Sequence, residues 1–171
     1  MKQSYVHVYT GNGKGKTTAA TGLAVRAAGR GLCVKFVQFM KGRSSGEVDA
    51  LERLGVEYLR VSECKKFFPN MTQEERSQAR ADALNALPVI TGWLNSADLM
   101  VLDEAMAAMA CGLLTEDEVL GLIENRGGTE LVLTGRDAPQ RIIDAAHLVT
   151  EMREVKHYYE LGQDARRGIE Y

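Results

Sequence analysis

The residues best suited to chemistry stand together near the start of the chain, in Thr10-Gly11-Asn12-Gly13-Lys14-Gly15-Lys16-Thr17-Thr18. Three alternating glycines let a backbone curl until successive N–H groups converge on an anion. Lys16 adds a full positive charge, and the start of a following helix adds its dipole. The Thr17 hydroxyl suits a Mg²⁺ (or Mn²⁺) ion riding on bound phosphates. Those are the mechanics of a P-loop, with one irregularity: the strict pattern has glycine five residues before Gly15, where Thr10 stands. The competing reading is a glycine-rich strand-to-helix turn without a ligand. Against it stand the run Gly15-Lys16-Thr17-Thr18 and the strand–loop–helix context. A dinucleotide fingerprint counted from Gly11 needs glycine where Lys16 stands, and fails there.

A P-loop calls for a second, acid-bearing strand, and Leu99-Met100-Val101-Leu102-Asp103-Glu104 supplies one. Four apolar residues followed by two carboxylates place Asp103 and Glu104 at the carboxyl edge of a sheet, where open α/β folds bind ligands. Carboxylates there hold Mg²⁺ directly or through its waters. The plainer alternative is a strand end with solvated acids. Leu133-Thr134-Gly135-Arg136 ends another apolar strand with a guanidinium, whose planar fork suits a phosphate or carboxylate. A surface salt bridge is the plainer reading of Arg136. His7, His147 and His157 have no metal-ligand spacing and read as structural; no cysteine has a histidine partner at a recognisable spacing.

The elements that must position these groups alternate along the chain. Strands are expected at residues 4–10, 32–39, 56–61, 99–102, 130–134 and 148–151. Val6 and Val8 should face one side of the first strand, and Tyr5 and Tyr9 the other. Helices are expected at 16–29, 46–54 and 71–96, through 125 after Thr115, and after Pro139. Thr72 with Glu75 and Thr115 with Glu118 have capping-box spacing, and Pro88 should interrupt the long helix. Residues 62–70 read as a surface loop carrying two aromatics. The alternation implies an α/β fold: a mostly parallel sheet of about six strands with helices on both faces, of P-loop NTPase (RecA-like) type.

Composition agrees with one domain over residues 1–171. Hydrophobic residues are 45% and charged residues 26%, ordinary for a globular chain. Lysine plus arginine number 21 and aspartate plus glutamate 23, a net charge of −2 that argues against a nucleic-acid binder. No apolar stretch reaches the roughly 18 residues of a membrane span; the longest, near residues 99–114, is broken by Asp103 and Glu104. No signal-peptide pattern opens the chain, and Cys33, Cys64 and Cys111 are too irregular for a disulfide framework or a zinc site. A cytoplasmic location is expected.

With these motifs placed, the chain resembles the P-loop ATP:corrinoid adenosyltransferases, the cob(I)yrinic acid a,c-diamide adenosyltransferases of cobalamin synthesis and salvage. The likeness runs from residues 9–18, in which the irregular opening is itself the family's form, through 22–31, 36–42 and Gly46-Glu47. It continues in 101–104, 133–139, 149–152, Lys156-His157 and the closing 165–171. It implies that cobalt(I) of a reduced corrinoid attacks the 5′-carbon of ATP and releases triphosphate. Cobalt(I) is already a strong nucleophile, so the protein's tasks are alignment and stabilisation of the departing charge. By resemblance ATP lies reversed in the loop, with the ribose carbon toward the co-substrate.

The resemblance makes residues 11–17 ATP contacts (Gly11, Asn12, Gly13, Lys14, Gly15, Lys16 and Thr17), with Thr18 beside them and Lys16 the main phosphate cation. It makes Lys16, Thr17 and Glu104 catalytic, and Thr17 and Glu104 metal-side residues with Asp103 close by. Arg26 and Arg136 join the nucleotide site. The family's tryptophan-containing corrinoid segment is replaced by Phe67-Phe68-Pro69-Asn70, so Phe67 and Phe68 are the corrinoid candidates, with hydrophobic anchoring of the loop as the alternative. Trp93 reads as core. The implied partners are the corrinoid, a flavin-dependent reductant that supplies cobalt(I), and a second copy in a homodimer. Family members often carry an N-terminal covering extension; here the chain starts almost at the strand, so the expectation is that the covering element is absent or comes from elsewhere, such as a second subunit. Two other functions share these motifs: a RecA-like ATP-hydrolysing switch or motor, and an ATP-binding sensor without turnover.

Overall fold

The computed structural model describes residues 3–42, 45–62, 66 and 68–171. Six strands, β1 (Val6–Thr10), β2 (Val34–Gln38), β3 (Glu57–Arg60), β4 (Leu99–Asp103), β5 (Glu130–Thr134) and β6 (Leu148–Glu151), form one all-parallel sheet. Its order is β3-β2-β4-β5-β1-β6. The helices are α1 (Lys16–Ala28), α2 (Gly46–Arg53), α3 (Gln73–Leu94), α4 (Ala105–Ala110), α5 (Glu116–Glu124) and α6 (Gln140–Ala145). This α/β arrangement is consistent with a P-loop NTPase-like fold. Residues 4–5 and 32–33 fall outside their expected strands, because the ladders begin with Val6 opposite Leu131 and Val34 opposite Leu99.

Side chains alternate between two cores, as the period of a strand requires. Val6, Val8, Val37, Met100, Leu102, Leu131 and Leu133 enter the larger core with α3, α4, α5 and α6. Val34, Phe36, Leu99, Val101 and Val132 enter the smaller one, where α1 lays Ala20, Ala24 and Ala27 on the sheet. Tyr9 packs on this second face, opposite Val6 and Val8, as expected. Small alanines at helical spacing let α1 sit close, which aims its amino end along the carboxyl edge of β1. The helices do not cover everything: all four residues of the edge strand β6 are exposed.

Both capping boxes form. The Thr72 hydroxyl accepts from the Glu75 N–H at 3.2 Å and the Glu75 carboxylate accepts from the Thr72 N–H at 2.7 Å; Thr115 and Glu118 repeat the pattern. Pro88 does not interrupt α3, which runs unbroken from Gln73 to Leu94. Pro88 and Leu84, whose carbonyl loses its helical donor, both lie on the exposed face, where solvent can satisfy the orphaned carbonyl. The short α4 went unanticipated because its Ala-Met-Ala-Ala-Met-Ala run merges in hydropathy with the strand before it. Trp93 is half-buried against the larger core, in keeping with a packing role. No helix among the described residues is long and apolar enough to cross a membrane.

Candidate active site

At the carboxyl edge of the sheet, the loop after β1 opens into a cavity of about 500 Å³ lined by Lys16, Thr17, Lys41, Glu104 and Arg136 among others. Gly15 stands at the N-cap of α1, so Lys16 and Thr17 are the first residues of the helix. Lys16 is 8% exposed and its Nζ donates to the carbonyls of Gly11 and Gly13, each at 2.7 Å. Burial lowers its pKa, with the Arg136 guanidinium acting in the same sense and Glu104 and Asp137 opposing. An anion in the cavity would oppose that lowering by favouring the charged ammonium.

Asp103 is wholly buried at the end of β4. Its Oδ1 accepts from the Thr17 hydroxyl at 2.8 Å and from the Thr134 hydroxyl at 2.7 Å. Its Oδ2 accepts from Gln38 Nε2 at 3.0 Å, and Lys41 Nζ lies 3.4 Å away. With both oxygens engaged, Asp103 aims the Thr17 hydroxyl and is not free to bind a cation directly. Thr134, on the strand between β4 and β1, also accepts the Glu104 N–H at 3.0 Å. Glu104 is thereby held in the left-handed region, φ 61°, and its side chain lines the cavity. Burial and the Asp103 carboxylate raise its pKa, against Lys41, Lys16 and Arg136. Among the described residues no cluster of three or more His, Cys, Asp or Glu could hold a metal. A hard cation would therefore depend on Thr17, Glu104, water and the ligand's own oxygens.

The expected convergence of loop amides is altered at Gly13, whose N–H donates to the Met152 carbonyl at 2.7 Å. The chain leaving β6 passes so close that a Cβ on Gly13 would meet Met152 O at 2.7 Å, and one on Gly11 (φ 94°) would meet the same atom. These two glycines thus answer to a crossing backbone as well as to an anion. Asn12 accepts the Glu154 N–H at 3.1 Å. Lys14 Nζ donates to Glu170 Oε1 at 2.6 Å and to Tyr158 Oη at 2.5 Å.

Of the other expected site residues, Gly15, Thr18 and Arg136 line the cavity. Arg26 does not: it is exposed in the last turn of α1, roughly 15 Å along the helix from Lys16 at 1.5 Å per residue. Phe68 opens a short 3₁₀ turn, Phe68–Asn70, half-buried against the larger core with the Arg76 guanidinium 4.9 Å from its ring centre. That position matches the anchoring alternative, and Phe68 is not a wall of the cavity. Phe67 lies outside the described residues, as does Cys64.

Lys41 and Glu47, to which the motifs assign no role, line the cavity, as do residues 168–171 and His157, whose spacing reads only as structural. Lys41 was within reach of the same rule that found Asp103 and Arg136, since it follows β2 at the carboxyl edge. Burial weakens its charge, but Asp103, Glu47 and Glu104 outweigh that and raise its pKa. The C-terminal residues carry no periodic signal that would place them here.

A model of the family described as ATP:corrinoid adenosyltransferase BtuR/CobO/CobP matches residues 2–171. Among curated proteins, the chain is 36% identical over 180 residues to the corrinoid adenosyltransferase CobA of Salmonella typhimurium, covering 99% of this chain and 87% of that protein. It is 39% identical over 168 residues to the corrinoid adenosyltransferase of Pseudomonas aeruginosa, covering 96% and 82%. The corrinoid adenosyltransferase of Escherichia coli K12 is 34% identical over 172 residues, with 99% and 87% covered.

Proposed function

The chain belongs to the ATP:corrinoid adenosyltransferase family, and we propose that the carboxyl-edge cavity is where its ATP is held during adenosyl transfer. The enzyme transfers the adenosyl group of ATP to a reduced corrinoid in cobalamin metabolism. A RecA-like hydrolytic switch is not favoured, because the full-length relatives are adenosyltransferases.

The observation that carries the site assignment is the meeting, in one cavity, of Lys16, Lys41 and Arg136 with the Thr17–Asp103 hydrogen bond and Glu104. Three cations beside a helix amino end stabilise charge that develops on a polyphosphate leaving group. In this reading cobalt(I) attacks C5′ of ATP. A cobalt–carbon bond forms as the C5′–O bond breaks, and the electron pair of that bond departs on the triphosphate. The cobalt is oxidised formally by two electrons, so no proton has to be removed by the protein. Lys16 and the remaining loop amides hold the phosphates in the reversed sense, with the ribose carbon toward the corrinoid. Thr17 and, through water, Glu104 would hold Mg²⁺, which when bound neutralises phosphate charge. The acceptor class is cob(I)alamin, cobinamide or cob(I)yrinic acid a,c-diamide, with Phe67 as a proposed apolar contact and Phe68, packed on the larger core, as the anchor of that loop. A flavin-dependent reductant, a homodimer and a cytoplasmic location complete the proposal.

Incubation with ATP, Mg²⁺ and chemically reduced cobalamin or cobinamide tests it. Adenosylcorrinoid and triphosphate in equal amounts are expected, followed by the corrinoid visible spectrum and phosphate analysis. ADP with orthophosphate would overturn the polarity.

A further inference from the structure

Beyond Met152 the chain runs back over the phosphate loop without joining either core. Among the described residues no fully buried apolar side chain comes after Ile142. Val155 is 94% exposed and Leu161 77%. In this segment the half-buried residues are His157, Tyr158 and Glu170. Hydrophobic burial therefore does not hold it, and a polar clasp does. Glu170 is the centre of that clasp. Its Oε1 accepts from Lys14 Nζ at 2.6 Å and also from the Tyr158 hydroxyl. Its Oε2 accepts from the Arg166 N–H at 2.6 Å. The ammonium of Lys14 and the guanidinium of Arg166 lie 5.2 and 4.9 Å from the centre of the Tyr158 ring. Hydrogen bonds between ionised partners are the strong ones, and here they link residues 156 positions apart.

The clasp sets a wall of the cavity. His157, Ile169 and Tyr171 line the same space as Lys16 and Arg136. The C-terminal segment brings no lysine or arginine to that space, and the Glu170 carboxylate there is already paired with Lys14. A surface of imidazole, aliphatic and phenol groups without a cation suits a nucleoside, whereas the loop suits the phosphates.

We propose that Glu170 is a positioning residue: through Lys14 it docks residues 157–171 as the nucleoside-facing wall of the ATP cavity, with Lys14 acting as docking post and Lys16 as phosphate cation. This rests on the reading of the cavity as the ATP site. Losing a charge-assisted contact that orders a ligand wall should cost about tenfold in ATP affinity. Glu170→Ala is therefore expected to raise KM for ATP about tenfold while kcat changes less. Inhibition by inorganic triphosphate, which has no nucleoside, should stay as in the parent enzyme. Glu170→Gln, which keeps the shape and loses the charge, should fall between. Lys14→Ala should reproduce the KM effect, and the double variant Lys14→Ala/Glu170→Ala should be no worse than the more damaging single one. Thermal melts of each variant separate loss of fold from loss of binding. Equal weakening of ATP and triphosphate, an unchanged KM for Glu170→Ala, or additive single effects would each overturn the proposal. Lys16→Ala serves as the control for the underlying reading: if it leaves ATP and triphosphate binding intact, the cavity is not the ATP site, whatever Glu170 does.

Discussion

The two edges of the sheet use polar residues in opposite ways. At the amino edge, the side chains just before or at the start of the strands close on nearby backbone and on one another. The Asp98 carboxylate accepts the Cys33 N–H at 2.9 Å, and His147 Nδ1 accepts the Val6 N–H at 3.1 Å. Glu130 takes the Tyr5 N–H at 2.7 Å and meets His7 Nε2 at 2.6 Å. The buried Thr129 hydroxyl lies 2.8 Å from the carbonyls of both Leu94 and Ala97. At the carboxyl edge, Lys16, Lys41, Glu104 and Arg136 turn into a cavity. Backbone strain is confined there as well. The non-glycine residues with positive φ among those described, Met40, Glu104 and Asp137, all lie within three residues of the end of β2, β4 or β5. Such conformations cost about 1–3 kcal/mol each and persist where the surroundings enforce them. Polar groups are thus satisfied internally at one end of the strands, while at the other several charged groups are turned toward a ligand space.

The largest test of that division is Lys16→Ala. It should lower the adenosyl-transfer rate by about 100-fold or more, as loss of a preorganised charge at a leaving group does. The melting temperature without nucleotide should stay near the parent value, since Lys16 bonds to loop carbonyls and not to the core. Steady-state rates and a thermal melt on the same preparation check both halves. A large drop in melting temperature would erase the contrast between the edges.

Glu104→Gln sharpens it further, because the two properties should move in opposite directions. Activity should fall by roughly tenfold to a hundredfold, the scale of a group that acts on a metal through water. Burial beside Asp103 raises the folded-state pKa of Glu104. A raised carboxyl pKa contributes stability at low pH, and that stability is lost as pH rises through the folded value. At neutral pH the ionised side chain is therefore a net cost, and the glutamine variant should melt a few degrees higher. The gain should shrink as pH approaches 4.5, the ordinary value for a glutamate.

Thr129→Val probes the amino edge. Removing a hydroxyl from between two buried carbonyls should cost about 1–3 kcal/mol in denaturant unfolding. The rate per folded molecule should be unchanged. Smaller still is the effect of the ion pair that ties α3 to α5. Arg80 bonds Glu118 at 2.8 Å through two nitrogens, and with the Thr115 cap it holds the carboxyl down at about 2. A depressed carboxyl pKa gives stability above the ordinary value that is lost as pH falls toward the folded one. The melting temperature should accordingly decline between pH 4.5 and 2, and Arg80→Ala should flatten that decline. The pair is partly open to solvent, with side-chain exposures of 31% and 23%, so screening holds its share to about 1 kcal/mol.

Much of the carboxyl edge was legible in the sequence because its parts are short runs. Lys16 and Thr17 are adjacent, as are Asp103 and Glu104, and each pair follows an apolar strand by a residue count that strand geometry converts into position. The capping boxes of α3 and α5 were readable for the same reason, being written within four residues. Pro88 was misjudged because its cost depends on whether the orphaned carbonyl reaches water, which its neighbours in the chain do not reveal. The role of Asp103 changed too: that its two oxygens are taken by Thr17, Thr134, Gln38 and Lys41 follows from four separate elements meeting at one point.

From the amino-acid order alone came the strand–helix alternation, the phosphate-type loop and the acids that face it, since each depends on interactions local in the chain. The tertiary structure alone decided that Lys41 joins Lys16 and Arg136, that Arg26 does not, and that Glu170 reaches back to Lys14. Such pairings depend on which strands lie side by side and where a backbone crosses. Those are properties of packing in three dimensions, to which spacing along the chain is blind.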